Sequence, residues 1–141
     1  MMRNSGIGFI GLGQMGLGMA NNLAKIASPF YAYDAMPAAT DRLIGDDIII
    51  ASTLGNLAAN CHLIFLCLPS AKEVNEVIFG AGGIAESAQG DLAIIDTSTI
   101  DRLEAIDIHD QLASRSITYA DCPVSGLPFR ATDGTLTLMF G

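Results

Sequence analysis

The chain has 141 residues, half of them hydrophobic, which suits one globular domain with its own core. Seven basic residues stand against fifteen acidic ones, so the formal net charge is -8. Because this charge repels phosphate backbones and anionic lipids, we expect neither a nucleic-acid groove nor adhesion to a membrane surface.

No segment of the sequence is predicted to enter a membrane, because the apolar runs stay well short of the roughly 20 residues that span a bilayer. Arg3 and the apolar residues after it resemble a secretory signal, but the glycines between Gly6 and Gly18 would weaken a signal helix. We therefore expect a protein of the cytoplasm or of an organelle matrix.

The cysteines are three in number and lack the spacing of metal ligands. Cys67 lies inside an apolar run, and Cys61 and Cys122 have no partner motif. We expect buried or idle thiols and no metal site.

The first predicted elements are a strand at residues 7–11 and a helix at residues 15–27, joined by a glycine turn within the segment IGFIGLGQMG (residues 7–16). In a dinucleotide-binding GxGxxG turn, the first glycine permits the bend, the second admits a pyrophosphate and the third lets the helix pack on the strand. The amide end of that helix can hold an anion without a basic side chain. The residues predicted to bind the cofactor here are Gly11, Leu12, Gly13, Gln14, Met15 and Gly16.

A second strand is predicted at residues 30–33, and Asp34 follows it directly. A carboxylate roughly 20 residues after the glycine turn accepts hydrogen bonds from the adenosine ribose hydroxyls. It would also repel a 2′-phosphate, and no basic residue follows before Arg42. The sequence therefore favours NAD over NADP, with a plain turn role before Pro37 as the alternative.

The remaining elements continue to alternate. Helices are predicted from about Ala38 to Ile44, from a cap at Ser52 or Thr53 to about Asn60, at residues 71–79 after a cap at Ser70, and from Asp101 to about Ser114. Strands are predicted at residues 48–51, 63–68, 92–95, 118–120 and 135–140. The alternation predicts an α/β fold: a Rossmann-type, doubly wound, mostly parallel sheet in a single domain over residues 1–141.

Motifs in chain order carry a resemblance to a known family: GFIGLGQMG at residues 8–16, LCLPS at 66–70, DTSTI at 96–100, and DCPVSG at 121–126 with GTLTLM at 134–139. Together they resemble the β-hydroxyacid dehydrogenases. That family includes 3-hydroxyisobutyrate dehydrogenase and tartronate semialdehyde reductase, with 6-phosphogluconate dehydrogenase more distant.

The resemblance implies roles for residues that follow three of the strands. Leu68 and Pro69 would line the nicotinamide side of the cofactor, and Thr99 would contact cofactor or substrate. Ser125 and Gly126 would hold the carboxylate and hydroxyl of the substrate. The alternative is that residues 123–128 form a purely structural crossover loop.

The sequence departs from the family in two respects. Leu127 stands where the family has a second glycine, so its Cβ could obstruct the substrate or its φ could be strained. The family's catalytic lysine lies beyond the last strand, in a half that also supplies an all-helical domain. Lys25 and Lys72 do not match it, and neither His62 nor His109 is a convincing base, so we expect no catalytic residue in this chain.

The sequence thus predicts the NAD-binding domain of an oxidoreductase that transfers a hydride between nicotinamide and a small 3-hydroxy acid, such as 3-hydroxyisobutyrate. Without the helical domain the chain should bind cofactor and turn over little, and the full-length enzyme should be a homo-oligomer. One alternative is a non-catalytic NAD-sensing or assembly module. Another, a Rossmann protein for nucleotide sugars or a methyl donor, is disfavoured by residues 121–126.

Overall fold

The computed structural model describes residues 5–141, and a parallel sheet of six strands forms its centre. The strands are β1 (Gly6–Ile10), β2 (Phe30–Tyr33), β3 (Ile48–Ile50), β4 (Cys61–Leu66), β5 (Ala93–Asp96) and β6 (Thr118–Asp121). Their order across the sheet is β3-β2-β1-β4-β5-β6. The predicted doubly wound α/β fold is confirmed, and the strand order reverses between β1 and β4.

Helices connect these strands. They are α1 (Gln14–Ala24), a 3₁₀ helix (Pro37–Arg42), α2 (Leu54–Asn60), α3 (Ala71–Phe79), α4 (Ile84–Ser87), α5 (Arg102–Ala113) and α6 (Pro128–Asp133). None of the helices in residues 5–141 combines the length and the hydropathy that crossing a membrane requires.

Side-chain caps determine where three of the helices begin. Thr53 accepts a hydrogen bond from the amide of Asn56, and Ser70 accepts one from the amide of Lys72. Asp101 forms a capping box with Glu104 at the start of α5. Each cap satisfies amides that the first helical turn leaves without an intrahelical partner, so these predicted helix starts are confirmed.

The core has two parts, one on each face of the sheet. Alternate residues of β1 point to opposite faces, so Phe9 packs with α1 while Ile10 packs on the other side. The larger part, on the face of Ile10, includes Leu57, Val74, Ile78, Ile108 and Leu112 from α2, α3 and α5. Both faces of β1 and β4 are therefore covered, as a central parallel strand requires.

The strand predicted at residues 135–140 is wrong in extent. Only Thr137–Leu138 forms a strand, β8, and it pairs antiparallel with a short strand β7 (Val124–Ser125) outside the main sheet. Helix α6, which lies between these two strands, was not predicted. Its signals are Pro128 in the first turn and Gly134, at φ +78°, after the last.

Other helix and strand boundaries differ from the predicted ones by two or three residues. Helix α1 ends at Ala24 rather than at Ala27, because the amides of Lys25 and Ile26 bond to carbonyls three residues earlier and tighten the last turn. Strand β4 begins and ends two residues earlier than predicted. The short helix predicted from Ala38 is the 3₁₀ helix.

Candidate cofactor site

The loops that follow β1, β2, β4 and β5 meet at the carboxyl edge of the sheet. In a doubly wound sheet the ligand crevice lies at this edge, where the strand order reverses. The reversal falls between β1 and β4. The glycine turn after β1 and residues 67–70 after β4 therefore form the two sides of the candidate site.

Two glycines of the turn are required by the protein itself. Gly11 has φ +102°, and a Cβ on it would lie 2.1 Å from the carbonyl oxygen of Cys67. A Cβ on Gly16 would lie 1.9 Å from the carbonyl oxygen of Gly11. These contacts leave no room for a side chain, so both residues serve the bend and the packing of α1 on β1.

Gly13 differs from its two neighbours in the motif. Its φ is -71°, which any residue adopts, and a Cβ there would meet no atom within 4 Å. The two other described glycines that face open space, Gly82 and Gly90, both have positive φ. Neither a positive φ nor a steric contact within residues 5–141 requires glycine at position 13, and the space in front of it is open.

The amide end of α1 borders that space. Gly13 is the N-cap of this helix, and no side chain accepts a hydrogen bond from its first turn. The first turn contains no acidic residue either. In contrast to α2, α3 and α5, this helix leaves its first amides and the positive end of its dipole available to an anion.

Asp34 lies beside the glycine turn, directly after β2. Its Oδ2 accepts a hydrogen bond of 2.8 Å from the amide of Leu12, and its Oδ1 accepts one of 2.8 Å from the amide of Met36. The side chain is half-buried. Each carboxylate oxygen has a second lone pair, so Asp34 can still accept hydrogen bonds from hydroxyl groups in the crevice.

Leu68 and Pro69 lie on the opposite side of the crevice. Leu68 is half-buried, and its Cδ2 is 3.1 Å from the position that a Cβ on Gly11 would occupy. Pro69 and Thr99 are exposed after β4 and β5 respectively. The structure therefore places these three predicted residues at the same edge of the sheet as the glycine turn.

The predicted substrate residues lie after β6. Ser125 is exposed in β7, and Gly126 has φ +145° with a prospective Cβ 2.8 Å from Cδ2 of Leu136. The positive φ of Gly126, which residues with a side chain rarely adopt, is the reason for glycine at this position. Leu127 has φ -92°, so of the two effects considered for this residue the strained φ is wrong, and its side chain is 63% exposed at the start of α6.

A cluster of buried polar side chains behind the crevice was not predicted as a unit. Asp96 and Ser98, at the end of β5, are 0% and 2% exposed, and the hydroxyl of Tyr119 donates to Oδ2 of Asp96 over 2.7 Å. Burial raises the pKa of Asp96, and hydrogen bonds from Ser98 and Tyr119 oppose that shift. The run Asp-Thr-Ser after an apolar strand was visible, but the partner Tyr119 depends on the β5–β6 register.

Helix α6 is fastened to α1 at a close crossing. A Cβ on Gly18 would lie 2.7 Å from the amide nitrogen of Thr132, so only glycine permits this approach. The side-chain amide of Asn22 donates to the carbonyls of Ala131 and Thr132 at 2.8 and 3.1 Å. These bonds satisfy carbonyls at the end of α6 that lack an intrahelical partner.

The two lysine and two histidine side chains are all exposed. Lys25 is exposed at the far end of α1 and bonds to Asn22, and Lys72 is exposed in the first turn of α3. His62 is exposed at the start of β4, and His109 is exposed in α5 beside Asp110. None of them is held as a general base among the described residues.

The three cysteines are free, and burial raises the pKa of each thiol. For Cys61 the pKa reaches about 12. Cys61 and Cys122 are buried and Cys67 is half-buried, and thiols that stay protonated are poor nucleophiles and poor metal ligands. Within residues 5–141 no group of three or more His, Cys, Asp and Glu side chains could hold a metal ion.

A cavity of about 310 Å³ lies outside the crevice, on the face of the sheet that α1 and α6 partly cover. Its lining is almost entirely apolar and includes Phe9, Phe65, Leu136, Leu138 and Phe140. The polar groups of the candidate site are on the sheet edge instead, so this cavity does not hold the cofactor's phosphates.

The sequence model of the NAD-binding domain of 6-phosphogluconate dehydrogenase matches residues 6–141. The chain belongs to this family. It is 36% identical to 2-(hydroxymethyl)glutarate dehydrogenase of Eubacterium barkeri over 141 residues, which are 100% of this chain and 47% of that enzyme. The chain thus spans about half the length of this curated relative.

Solved structures give the same assignment. The structure of Mycobacterium tuberculosis 3-hydroxyisobutyrate dehydrogenase with L-serine superposes with a TM-score of 0.88 at 26% identity, over 99% of this chain and 47% of that one. The structure of Psf3 in complex with NADP+ and 2-OPP gives 0.87 at 26% identity, over 95% and 48%. The resemblance to hydroxyacid dehydrogenases is confirmed.

Proposed function

We propose that this chain is the cofactor-binding domain of an oxidoreductase that transfers a hydride between NAD and a small 3-hydroxy acid. The open space in front of Gly13 is the observation that carries the proposal. Neither the φ of this residue nor its packing requires glycine, yet a side chain at this position would enter the space in front of the amide end of α1. A pyrophosphate in that space accounts for the glycine.

The other residues of the crevice fit the rest of the dinucleotide. The amides of Gly13, Gln14 and Met15 would hold the pyrophosphate, and Asp34 would accept hydrogen bonds from the adenosine ribose. Leu68 and Pro69 would face the nicotinamide ring, with Thr99 near it. When bound, the nicotinamide supplies or accepts the hydride, and the chain's own residues bind and orient it.

Asp34 favours NAD over NADP. A 2′-phosphate about 4 Å from this carboxylate would cost on the order of 1–4 kcal/mol per unit charge, depending on the local dielectric. Both carboxylate oxygens are already fixed by backbone amides, so the negative charge is held in place beside the ribose position. The NADP+ complex of Psf3 makes NADP the alternative to exclude.

For the substrate we propose Ser125, Gly126 and Thr99 as contacts for a small 3-hydroxy acid. The L-serine bound to the M. tuberculosis enzyme is itself a 3-hydroxy acid, which supports this class. A carboxylate and a hydroxyl beside an apolar ring need directed donors, and a hydroxyl side chain with adjacent backbone amides provides them.

The proton-transfer group would come from outside this chain. Hydride transfer from an alcohol requires a base for the hydroxyl proton; Lys25 is at the far end of α1, and Lys72 is an exposed residue in the first turn of α3. We therefore propose that residues 1–141 form one NAD-binding domain, and that a helical second half supplies the lysine and the homo-oligomer contacts. The domain alone binds cofactor without turnover, and the whole enzyme works in the cytoplasm or an organelle matrix.

Replacing each motif glycine by alanine tests the proposal. Gly13→Ala should lower the melting temperature of the chain only slightly, since it replaces a favourable N-cap residue, while NAD binding by calorimetry weakens roughly 10- to 100-fold, because hydrogen bonds to a charged group contribute about 1.5–3 kcal/mol each. Gly11→Ala and Gly16→Ala should lower the melting temperature much more, because their Cβ atoms would clash with backbone carbonyls. Unchanged NAD affinity in Gly13→Ala, or a response of the chain to S-adenosylmethionine alone, would contradict the proposal.

A further inference from the structure

Tyr119, Asp96 and Ser98 form a continuous chain of hydrogen bonds that ends on the backbone of Leu68. The Tyr119 hydroxyl donates to Oδ2 of Asp96 over 2.7 Å, and the amide of Ser98 donates to Oδ1 over 2.9 Å. The amide of Leu68 then donates to the hydroxyl oxygen of Ser98 over 2.8 Å. Since that oxygen accepts from Leu68, its own proton is available to the Asp96 carboxylate.

This series of hydrogen bonds fixes a backbone segment that lies just beyond the end of strand β4. The amide of Cys67 still bonds to the carbonyl of Ile10, but the next amide, that of Leu68, bonds to a side chain instead of a strand. Leu68 begins the segment that faces the glycine turn across the crevice. The Ser98 hydroxyl therefore determines the position of Leu68 and Pro69, which form one side of the crevice.

Burial makes this arrangement specific. Asp96 and Ser98 are 0% and 2% exposed, so water cannot replace either partner without opening the end of β5. Burial, and then the charge of Asp96, raise the pKa of Tyr119, so its hydroxyl remains a donor. The Tyr119 hydroxyl therefore donates to Asp96, and the Ser98 hydroxyl oxygen accepts from the Leu68 amide.

We propose that Ser98, held by Asp96 and Tyr119, is a positioning residue that places Leu68 and Pro69 against the nicotinamide half of the cofactor. This inference rests on the proposed function, because it gives Ser98 a role in the same cofactor crevice. Strand β4 belongs to the second half of the doubly wound sheet, across the reversal from the half that carries Asp34. A substitution at Ser98 should therefore weaken binding of the nicotinamide half of the cofactor and leave binding of the adenosine half unchanged.

Ser98→Ala tests this in the chain as it stands, with NADH and ADP-ribose as paired ligands. ADP-ribose has the pyrophosphate and both riboses but no nicotinamide. We expect the Kd for NADH to rise about tenfold while the Kd for ADP-ribose stays within about twofold. The fluorescence emission of bound NADH should also shift toward that of free NADH.

Thr97→Val is the matched control. The Thr97 hydroxyl is equally buried and donates to the carbonyl of Leu66, but it does not touch the amide of Leu68. It should leave both Kd values within about twofold. If Ser98→Ala does not fold, Tyr119→Phe retains the ring and loses only the donor to Asp96, and it should weaken NADH binding selectively by about threefold.

The outcomes separate this inference from the proposed function. Equal weakening of both ligands, unchanged NADH affinity, or a wild-type chain that binds NADH no tighter than ADP-ribose would overturn the positioning role while leaving the cofactor site intact. A wild-type chain that binds neither ligand would instead overturn the proposed function.

Discussion

The amide of Leu12 donates a hydrogen bond of 2.8 Å to Oδ2 of Asp34, which joins the glycine turn to the end of the neighbouring strand. The same carboxylate also holds the amide of Met36. One side chain thus fixes both loops that border the proposed adenosine site. Its charge and its hydrogen bonds can be separated by substitution.

Asp34→Asn should weaken NAD binding and reduce the preference for NAD over NADP. The amide accepts with one oxygen only, so the ribose loses acceptors, while the repulsion of a 2′-phosphate disappears. We expect the ratio of the two Kd values to change by about tenfold or more, measured by calorimetry at fixed ionic strength.

Asp41→Asn in the 3₁₀ helix is the control, because it removes the same charge from an exposed nearby carboxylate. It should change the ratio little. An equal change in both variants would mean that overall charge, and not Asp34, sets the cofactor preference.

Asn22→Ala should loosen α6 specifically. The variant loses two hydrogen bonds to the carbonyls of Ala131 and Thr132, and we expect the free energy of unfolding to fall by about 1–2 kcal/mol. Amide hydrogen exchange should accelerate at residues 128–135. Asn21→Ala is the matched control, since Asn21 accepts from the amide of Ile44 and its loss should affect that segment instead. Unaltered exchange in α6 would refute the capping role of Asn22.

Asp121→Asn should gain stability relative to the wild type as pH rises. Burial, and then the charge of Asp96, raise the pKa of Asp121, and its Oδ1 has no hydrogen-bond partner within residues 5–141. A carboxyl with a raised folded pKa is favourable to stability while protonated. Its contribution declines as pH rises from the unfolded value, about 3.9, through the folded one.

The free energy of unfolding of both proteins, measured by urea denaturation at pH 4 and pH 7, checks this. The difference between Asp121→Asn and the wild type should favour the variant more at pH 7. Asp41→Asn again reports the effect of net charge alone. A difference that is constant with pH, or that favours the wild type at pH 7, would be incompatible with a raised pKa.

Apolar side chains on α6 and around β8 should make the chain self-associate. Leu127, Phe129, Leu138 and Phe140 are 63%, 57%, 55% and 68% exposed. Exposed apolar clusters of this kind mark contact surfaces or cause aggregation. Sedimentation velocity should show concentration-dependent association that Phe140→Ser reduces. Ile26→Ser, at an exposed residue at the end of α1, should not reduce it, and a monodisperse monomer at high concentration would contradict the prediction.

Features set by local chemistry were predictable from the sequence. The glycine turn and the caps at Thr53, Ser70 and Asp101 depend on a residue's own backbone or on neighbours within one helical turn. The position of Asp34 after β2 followed from strand length and the parallel fold.

Features that depend on partners distant in sequence were not predictable. The alternation at residues 135–140 indicated a strand but could not say that β7, rather than the main sheet, would pair with it. The bond between Asp96 and Tyr119 requires the β5–β6 register, which no local pattern encodes. Helix α6 did carry local signals, Pro128 at its start and Gly134 at its end, but this segment was not predicted as a helix.

The close crossing at Gly18 connects the helix after the glycine turn with the helix that follows the proposed substrate residues. Helix α1 starts at the proposed pyrophosphate position, and one turn further along it carries α6, which continues directly from Ser125 and Gly126. The glycine turn and the proposed substrate residues Ser125 and Gly126 are therefore attached to two helices in direct contact. A side chain introduced at position 18 would misalign the two against each other, although it would touch neither ligand.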